Sequence, residues 1–222
     1  MSLSSPSDPD VEVSRPSGPS DWEAIRRICC STARAGGNPI DPERWRFFGE
    51  FWIGPYQKLR PEWAYVLRAQ DGRVEGYLTS APDTLRFERE RMLRFRFPLL
   101  FRVLRGTYVR NADTKRFLRR AFRLDPEPES RFSEETRRRI LRDFPAHLHI
   151  NLDAEYRGSG RGGLLVQRLL RDLGAQGVAG VHLFCAPGPV KFYQCQGFEI
   201  LETVEFAPGV PVLSMARASI SP

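Results

Sequence analysis

Arg157-Gly158-Ser159-Gly160-Arg161-Gly162-Gly163 is the stretch on which the fold turns. It follows the apolar run Ala146–Leu152 and leads into a segment where Leu165, Leu169, Leu170 and Leu173 recur at helical spacing. The pattern reads as strand, glycine loop, helix. A helix N-terminus presents unpaired backbone N–H groups and partial positive charge, so it favours a phosphate. Glycines let the backbone come close to the anion, because no Cβ intrudes. The amides of Arg157, Gly158, Ser159, Gly160, Arg161, Gly162 and Gly163 are therefore candidate pyrophosphate ligands. The plainer alternative is a tight turn that binds nothing.

The same residues contain Gly158-x-Gly160-x-x-Gly163, a dinucleotide fingerprint. That reading requires an acidic residue about 20 positions on, at the end of the next strand. Val181-His182-Leu183-Phe184-Cys185 stands there and has no carboxylate. Only about 60 residues follow the loop, too few for the rest of a doubly wound sheet. A nicotinamide site is excluded on both counts. The other parse, Arg157-x-x-Gly160-x-Gly162, resembles the (Gln/Arg)-x-x-Gly-x-(Gly/Ala) motif of the GNAT superfamily of N-acetyltransferases. Phe192-Tyr193-Gln194-Cys195-Gln196-Gly197-Phe198 is similar to the Phe-Tyr-x-x-x-Gly-Phe signature that follows the fifth strand in that superfamily.

Further matches narrow the resemblance. Gly54-Pro55-Tyr56, Pro61-Glu62-Trp63, Gly76-Tyr77-Leu78, Ala81-Pro82-Asp83-Thr84 and Pro145-Ala146-His147-Leu148-His149-Ile150 look like the acetyltransferase-like domain of O-GlcNAcases and its stand-alone bacterial relatives. Some of that branch look like pseudo-enzymes that have lost the cofactor loop, whereas this chain keeps its glycines.

The resemblance implies an α/β (α+β) fold with a mixed central sheet of six to seven strands flanked by helices. Strands 4 and 5 splay and admit the pantetheine arm of acetyl-CoA. Backbone groups of Leu152, Asp153 and Ala154 would pair with the pantetheine amides like an added strand, with Phe192 beside the cofactor. An amine would attack the thioester directly, and Tyr193 would protonate the departing thiolate. The plainer role for Tyr193 is aromatic packing. The superfamily commonly has Asn six residues before the Phe of its second motif; this chain has Ala186, with Pro187 and Pro189 altering the turn. Two functions follow. One is an acetyl-CoA-dependent N-acetyltransferase acting on a small-molecule amine or a protein lysine. The other is a weak or inactive acetyl-CoA-binding or protein-interaction module.

His147, His149 and Asn151 alternate along the strand Ala146–Leu152, so they share one face, while Leu148, Ile150 and Leu152 share the other. His149 is a candidate general base, directly or through water. A hydrogen-bonded structural histidine is the commoner case. No third ligand accompanies the two histidines, so no metal site is expected.

Working outward, residues 1–10 read as a disordered tail and 11–222 as one domain. Ser20 with Glu23 suggests a capping box for a helix running to about Ala33, ended by Gly36-Gly37-Asn38-Pro39. A second helix is expected from Pro42 to about Phe51, and a hairpin around Asp71-Gly72. A helical insertion spans about 83–145. Its helices are expected at Leu85–Leu104, kinked at Pro98, at Thr114–Phe122, and after a Ser133 cap, with a loop at Asp125–Glu129 between. A strand near Pro211–Ala216 is expected to close the sheet.

Hydrophobic residues make up 41% and charged residues 27%, as in ordinary globular proteins. The four cysteines show neither a disulfide framework nor metal spacing, and no apolar leader is evident, which points to the cytoplasm. No segment is long and apolar enough to predict a membrane span. The net charge is +7, yet Arg86–Arg123 alone carries 13 basic and 3 acidic residues, so the remainder is mildly acidic. Phenylalanines interleave those arginines. A solvated Arg face of amphipathic helices, at the acceptor entrance or at a contact with a second copy, explains the run better than nucleic acid or a membrane surface.

Overall fold

The computed structural model describes residues 11–34, 39–122 and 131–220. Seven strands form one sheet: β1 (Val11–Ser14), β2 (Ala64–Ala69), β3 (Val74–Ala81), β4 (Ala146–Leu152), β5 (Gly180–Cys185), β6 (Glu199–Ala207) and β7 (Val210–Ala218). Their spatial order is β1-β2-β3-β4-β5-β7-β6. All neighbours are antiparallel except β4 and β5, which run parallel. This is the mixed α/β sheet that the sequence implied.

The two faces follow from side-chain alternation. On one face Tyr65, Leu67, Leu78 and Leu148 pack with Leu165, Leu169, Leu170 and Leu173 of α7 (Arg161–Ala175). On the other, Ala64, Val66 and Tyr77 pack under Ile25 and Ile28 of α1 (Pro19–Ser31) and Ile53 of α2 (Pro42–Leu59). β2 and β3 are thus buried on both sides. The turn between them has Gly72 at φ 84, the left-handed region the Asp-Gly hairpin needs.

Several boundaries differ from expectation. α1 starts at Pro19 with Gly18 as an uncapped N-cap; Ser20 forms no capping box, and Ser17 instead bonds the Asp21 carboxylate. The helix ends at Ser31, and residues 35–38 lie outside the described set, as do the tail 1–10 and the loop Asp125–Glu129. α2 runs past Phe51 to Leu59 with Pro55 inside it. Gly54 does not end that helix: it admits the Phe95 ring, which a Cβ would meet at 2.7 Å. Tertiary packing here carries the helix beyond its expected end near Phe51.

The insertion begins with α3 (Thr84–Arg91), a π-helical turn (Met92–Arg96) and α4 (Phe97–Leu104), which are continuous. The irregularity is the π turn, not Pro98, which sits in the first turn of α4. α5 (Ala112–Ala121) starts earlier than expected because Asn111 caps it, and α6 (Glu134–Asp143) is capped by Ser133 as expected. The last strand does not close the edge. β7 inserts between β5 and β6, leaving β6 outermost.

Candidate active site

β4 and β5 pair at only two positions, Ala146 with Val181 and His147 with His182. β4 runs on to Leu152 and β5 to Cys185 without further pairing, so a wedge opens between them. The ladder to β3 fixes which β4 groups face it. Asp153 N–H donates to Glu75 C=O at 2.9 Å, and in an antiparallel ladder such bonds fall on alternate residues. The backbones of His147, His149 and Asn151 therefore serve β3, while those of Leu148, Ile150 and Leu152 face the wedge. Asp153 N–H is spent on β3, and its C=O accepts from Tyr156 N–H at 3.0 Å, which leaves one further lone pair on that oxygen for a ligand. Its carboxylate forms a bidentate pair with Arg27 at 2.7 and 3.0 Å. Ala154 begins a 3-10 turn, and Leu152 C=O accepts from Arg157 Nε at 3.1 Å.

Beyond this turn the glycines divide into two pairs. Gly158 and Gly160 take φ 79 and 82, and a Cβ at either would meet nothing within 4 Å. The left-handed backbone requires glycine there, and the space above is open. Gly162 and Gly163 face α8 (Val190–Cys195): a Cβ would meet Phe192 and Gln196, each at 3.1 Å. These two let α7 and α8 approach. Gly160 is the N-cap of α7 and no side chain caps it; Gly163 N–H donates back to Gly160 C=O at 2.8 Å, so the helix start turns the amides that precede Gly163 toward that open space. An anionic pyrophosphate fits this end. Arg161 Nη1 binds the buried Glu75 carboxylate at 2.6 Å and lies over Tyr156, tying the loop to β3.

α8 carries Phe192 and Tyr193, whose rings meet edge to face at 5.0 Å; Tyr193 packs likewise on Phe198 at 5.6 Å. Phe192 lies against Gly162 at the start of α7. Burial, reinforced by Cys185, raises the Tyr193 pKa, so its hydroxyl stays protonated at neutral pH.

On the opposite sheet face His147, His149 and Asn151 do lie together. Thr84 Oγ1 sits 2.8 Å from His147 Nδ1 and from Pro145 C=O, and Tyr56 OH sits 2.8 Å from Nε2. Thr84 donates its single proton to the carbonyl, so it accepts from Nδ1–H, and Nε2 accepts from Tyr56. Burial, then the neighbouring His182, depresses His147 well below its usual range. Its lone pair is occupied and its role is structural.

The Asn151 amide lies 3.0 Å from Tyr77 OH and 3.1 Å from His149 Nε2. Its two N–H bonds serve both, which puts the His149 ring proton on Nδ1. Desolvation lowers His149 to about 4, and the Trp52 ring stacks over it at 6.2 Å. Trp52, Tyr56, Thr84, Glu75 and Arg27 were not singled out as side chains with roles. Tyr56 and Thr84 fell within matched motifs, but their meeting at His147 joins α2, α3 and β4, and no sequence spacing encodes that.

No protein-family model matches the chain. The crystal structure of SsHAT aligns with 96% of this chain and 100% of that one, at 30% identity and a TM-score of 0.71. This chain belongs to the GNAT superfamily of N-acetyltransferases. Two more distant structures share the GNAT fold. A GCN5-related N-acetyltransferase from Kribbella flavida covers 99% of its own length and 96% of this chain, at 18% identity and TM-score 0.53. Ard1 from Thermoplasma volcanium does the same at 14% identity and TM-score 0.54. In this GNAT chain the splayed strands, the uncapped glycine helix and the Phe192–Tyr193 pair converge on one wedge, and acetyl transfer is the chemistry of its superfamily.

Proposed function

We propose that this chain is an N-acetyltransferase that moves an acetyl group from acetyl-CoA to a primary amine by direct attack. The observation that carries the reading is the wedge between β4 and β5, opening onto the uncapped N-terminus of α7. Acetyl-CoA supplies the activated acyl carbon. The loop amides between Gly158 and Gly162 hold its pyrophosphate, since those of Arg157 and Gly163 donate to Ala154 and Gly160 C=O, and the wedge-facing backbone of Leu152 and Ile150 receives the pantetheine as an added strand. A wedge-facing β4 N–H, of Leu148 or Ile150, faces the negative charge that develops on the acyl oxygen. Tyr193, protonated at neutral pH, donates its proton to the departing sulfur as the thiolate forms and recovers it from water; burial raises its pKa and so makes it a weaker acid than a free phenol.

His149 serves as floor more than as base. With a pKa about 4 and its lone pair turned to Asn151, it is a weak acceptor for an ammonium proton. The amine is deprotonated by water before it attacks, and Trp52 and His149 line its approach. Acetyl-CoA-dependent release of free thiol over a panel of amines and lysine peptides tests the reading. Turnover of at least one acceptor is expected; tight acetyl-CoA binding with none turned over would leave a binding module.

A further inference from the structure

We propose that, in place of the merely solvated Arg face expected from the sequence, the insertion docks the protein on an anionic membrane surface through the outer face of α4 and the π turn. Phe95, Leu99 and Val103, spaced by four, face inward and pack on Phe47 and Phe51 of α2. Leu93, Phe97, Phe101 and Leu104, spaced by four, four and three, form a second stripe with exposures of 67%, 48%, 60% and 54%. The helix is therefore apolar on two sides, and nothing among the described residues covers the outer one. Contiguous exposed side chains of this size mark an interaction surface.

Charge identifies what the surface meets. Arg94, Arg96, Arg105 and Arg110 accompany the stripe, no Asp or Glu occurs from Arg91 to Asn111, and the further arginines of this stretch, Arg91 and Arg102, pair with Glu88 and with Glu50 of α2. A second copy of this chain would bring two such arginine rims together, and like charges oppose that contact. Four side chains also fall well short of the roughly 20–30 residues a side of a standard protein interface. A bilayer asks for neither opposite rim nor matching groove. A protruding helix with phenylalanines below and arginines at its flanks lies in the headgroup plane of anionic lipid. The helix Thr84–Leu104, about 30 Å long at 1.5 Å per residue, lies flat in this arrangement. No described helix is long and apolar enough to cross a membrane, so the contact is peripheral.

The full chain is sedimented with vesicles of phosphatidylcholine alone and of phosphatidylcholine with phosphatidylglycerol. Binding is expected to the anionic vesicles only, and to weaken at least tenfold between low and high salt. The double variant Phe97→Ser/Phe101→Ser is expected to bind at least tenfold more weakly at an unchanged Tm, because both rings face solvent. Arg94→Gln/Arg105→Gln is expected to weaken binding without touching the apolar stripe. Failure of the wild type to bind anionic vesicles overturns the proposal, as does undiminished binding by the phenylalanine variant. A concentration-dependent dimer that the phenylalanine variant abolishes would also overturn it, in favour of a second copy.

Discussion

Around the N-terminus of α7 the candidate recognition surface is backbone, and side chains hold it in place. Arg161 grips Glu75, Arg27 grips Asp153, and Phe192 and Gln196 close on glycines. Along α3 and α4 the backbone is a helix with one irregular turn, and side chains carry the surface: phenylalanines point both inward and outward. A backbone site needs rare conformations at fixed positions, so a substitution there acts through backbone strain or through the side chains that anchor the loop. A side-chain surface is assembled from many replaceable contacts. The two regions should therefore fail differently when perturbed.

The largest effect is expected from Arg161→Met, which leaves the buried Glu75 carboxylate without its ion-pair partner. Removing one member of such a pair costs about 3–4 kcal/mol, and the loosened loop should raise the coenzyme A dissociation constant more than tenfold. Chemical denaturation and calorimetric titration read the two; unchanged values would mean that the ion pair does not hold the loop. Leu99→Ala, fully within the insertion core, should cost about 3 kcal/mol yet leave coenzyme A affinity intact. Equal damage to binding would erase the contrast between the regions.

Tyr193→Phe keeps the ring packing and removes the proton donor. A fall of about a hundredfold in kcat, about 2.7 kcal/mol, with unchanged acetyl-CoA affinity is expected by steady-state kinetics. An unaltered kcat would reduce Tyr193 to packing. Acid should strain the opposite sheet face next. His182 is buried, donates Nδ1–H to Phe144 C=O at 2.7 Å, and is lowered to about 4 by desolvation. Below pH 6.5 the unfolded chain binds a proton that the folded chain refuses. Stability is thus full above pH 6.5 and declines toward pH 4, by on the order of 2–3 kcal/mol for this residue. Denaturation midpoints across that range check the slope, and His182→Gln should reduce it, leaving the part that the buried His147 and His149 contribute. The smallest effect belongs to Gly160→Ala, where a Cβ meets open space but φ 82 strains it by about 1–2 kcal/mol.

Legibility followed the same division. β4 and the helices around the glycine loop and Phe192–Phe198 stood within a residue or two of their places, because apolar periodicity and glycine spacing are local signals. The insertion was harder to read. Its helix broke at a π turn and not at Pro98, and α2 ran through Gly54-Pro55, because Phe95 from a distant segment fills the notch that Gly54 leaves. His149 was visible as a candidate, but its proton's position depends on Asn151 and Tyr77, and its low pKa on burial beneath Trp52.

The sequence by itself determined the glycine-rich start of α7, the alternation of residue faces along β4 and the second aromatic motif, since each depends on neighbours within a few residues. Only the tertiary structure decided that β7 enters between β5 and β6, that Asp153 is already engaged, and which face of α4 remains uncovered. Those outcomes depend on which distant segments meet, and burial and hydrogen-bond saturation are settled only there.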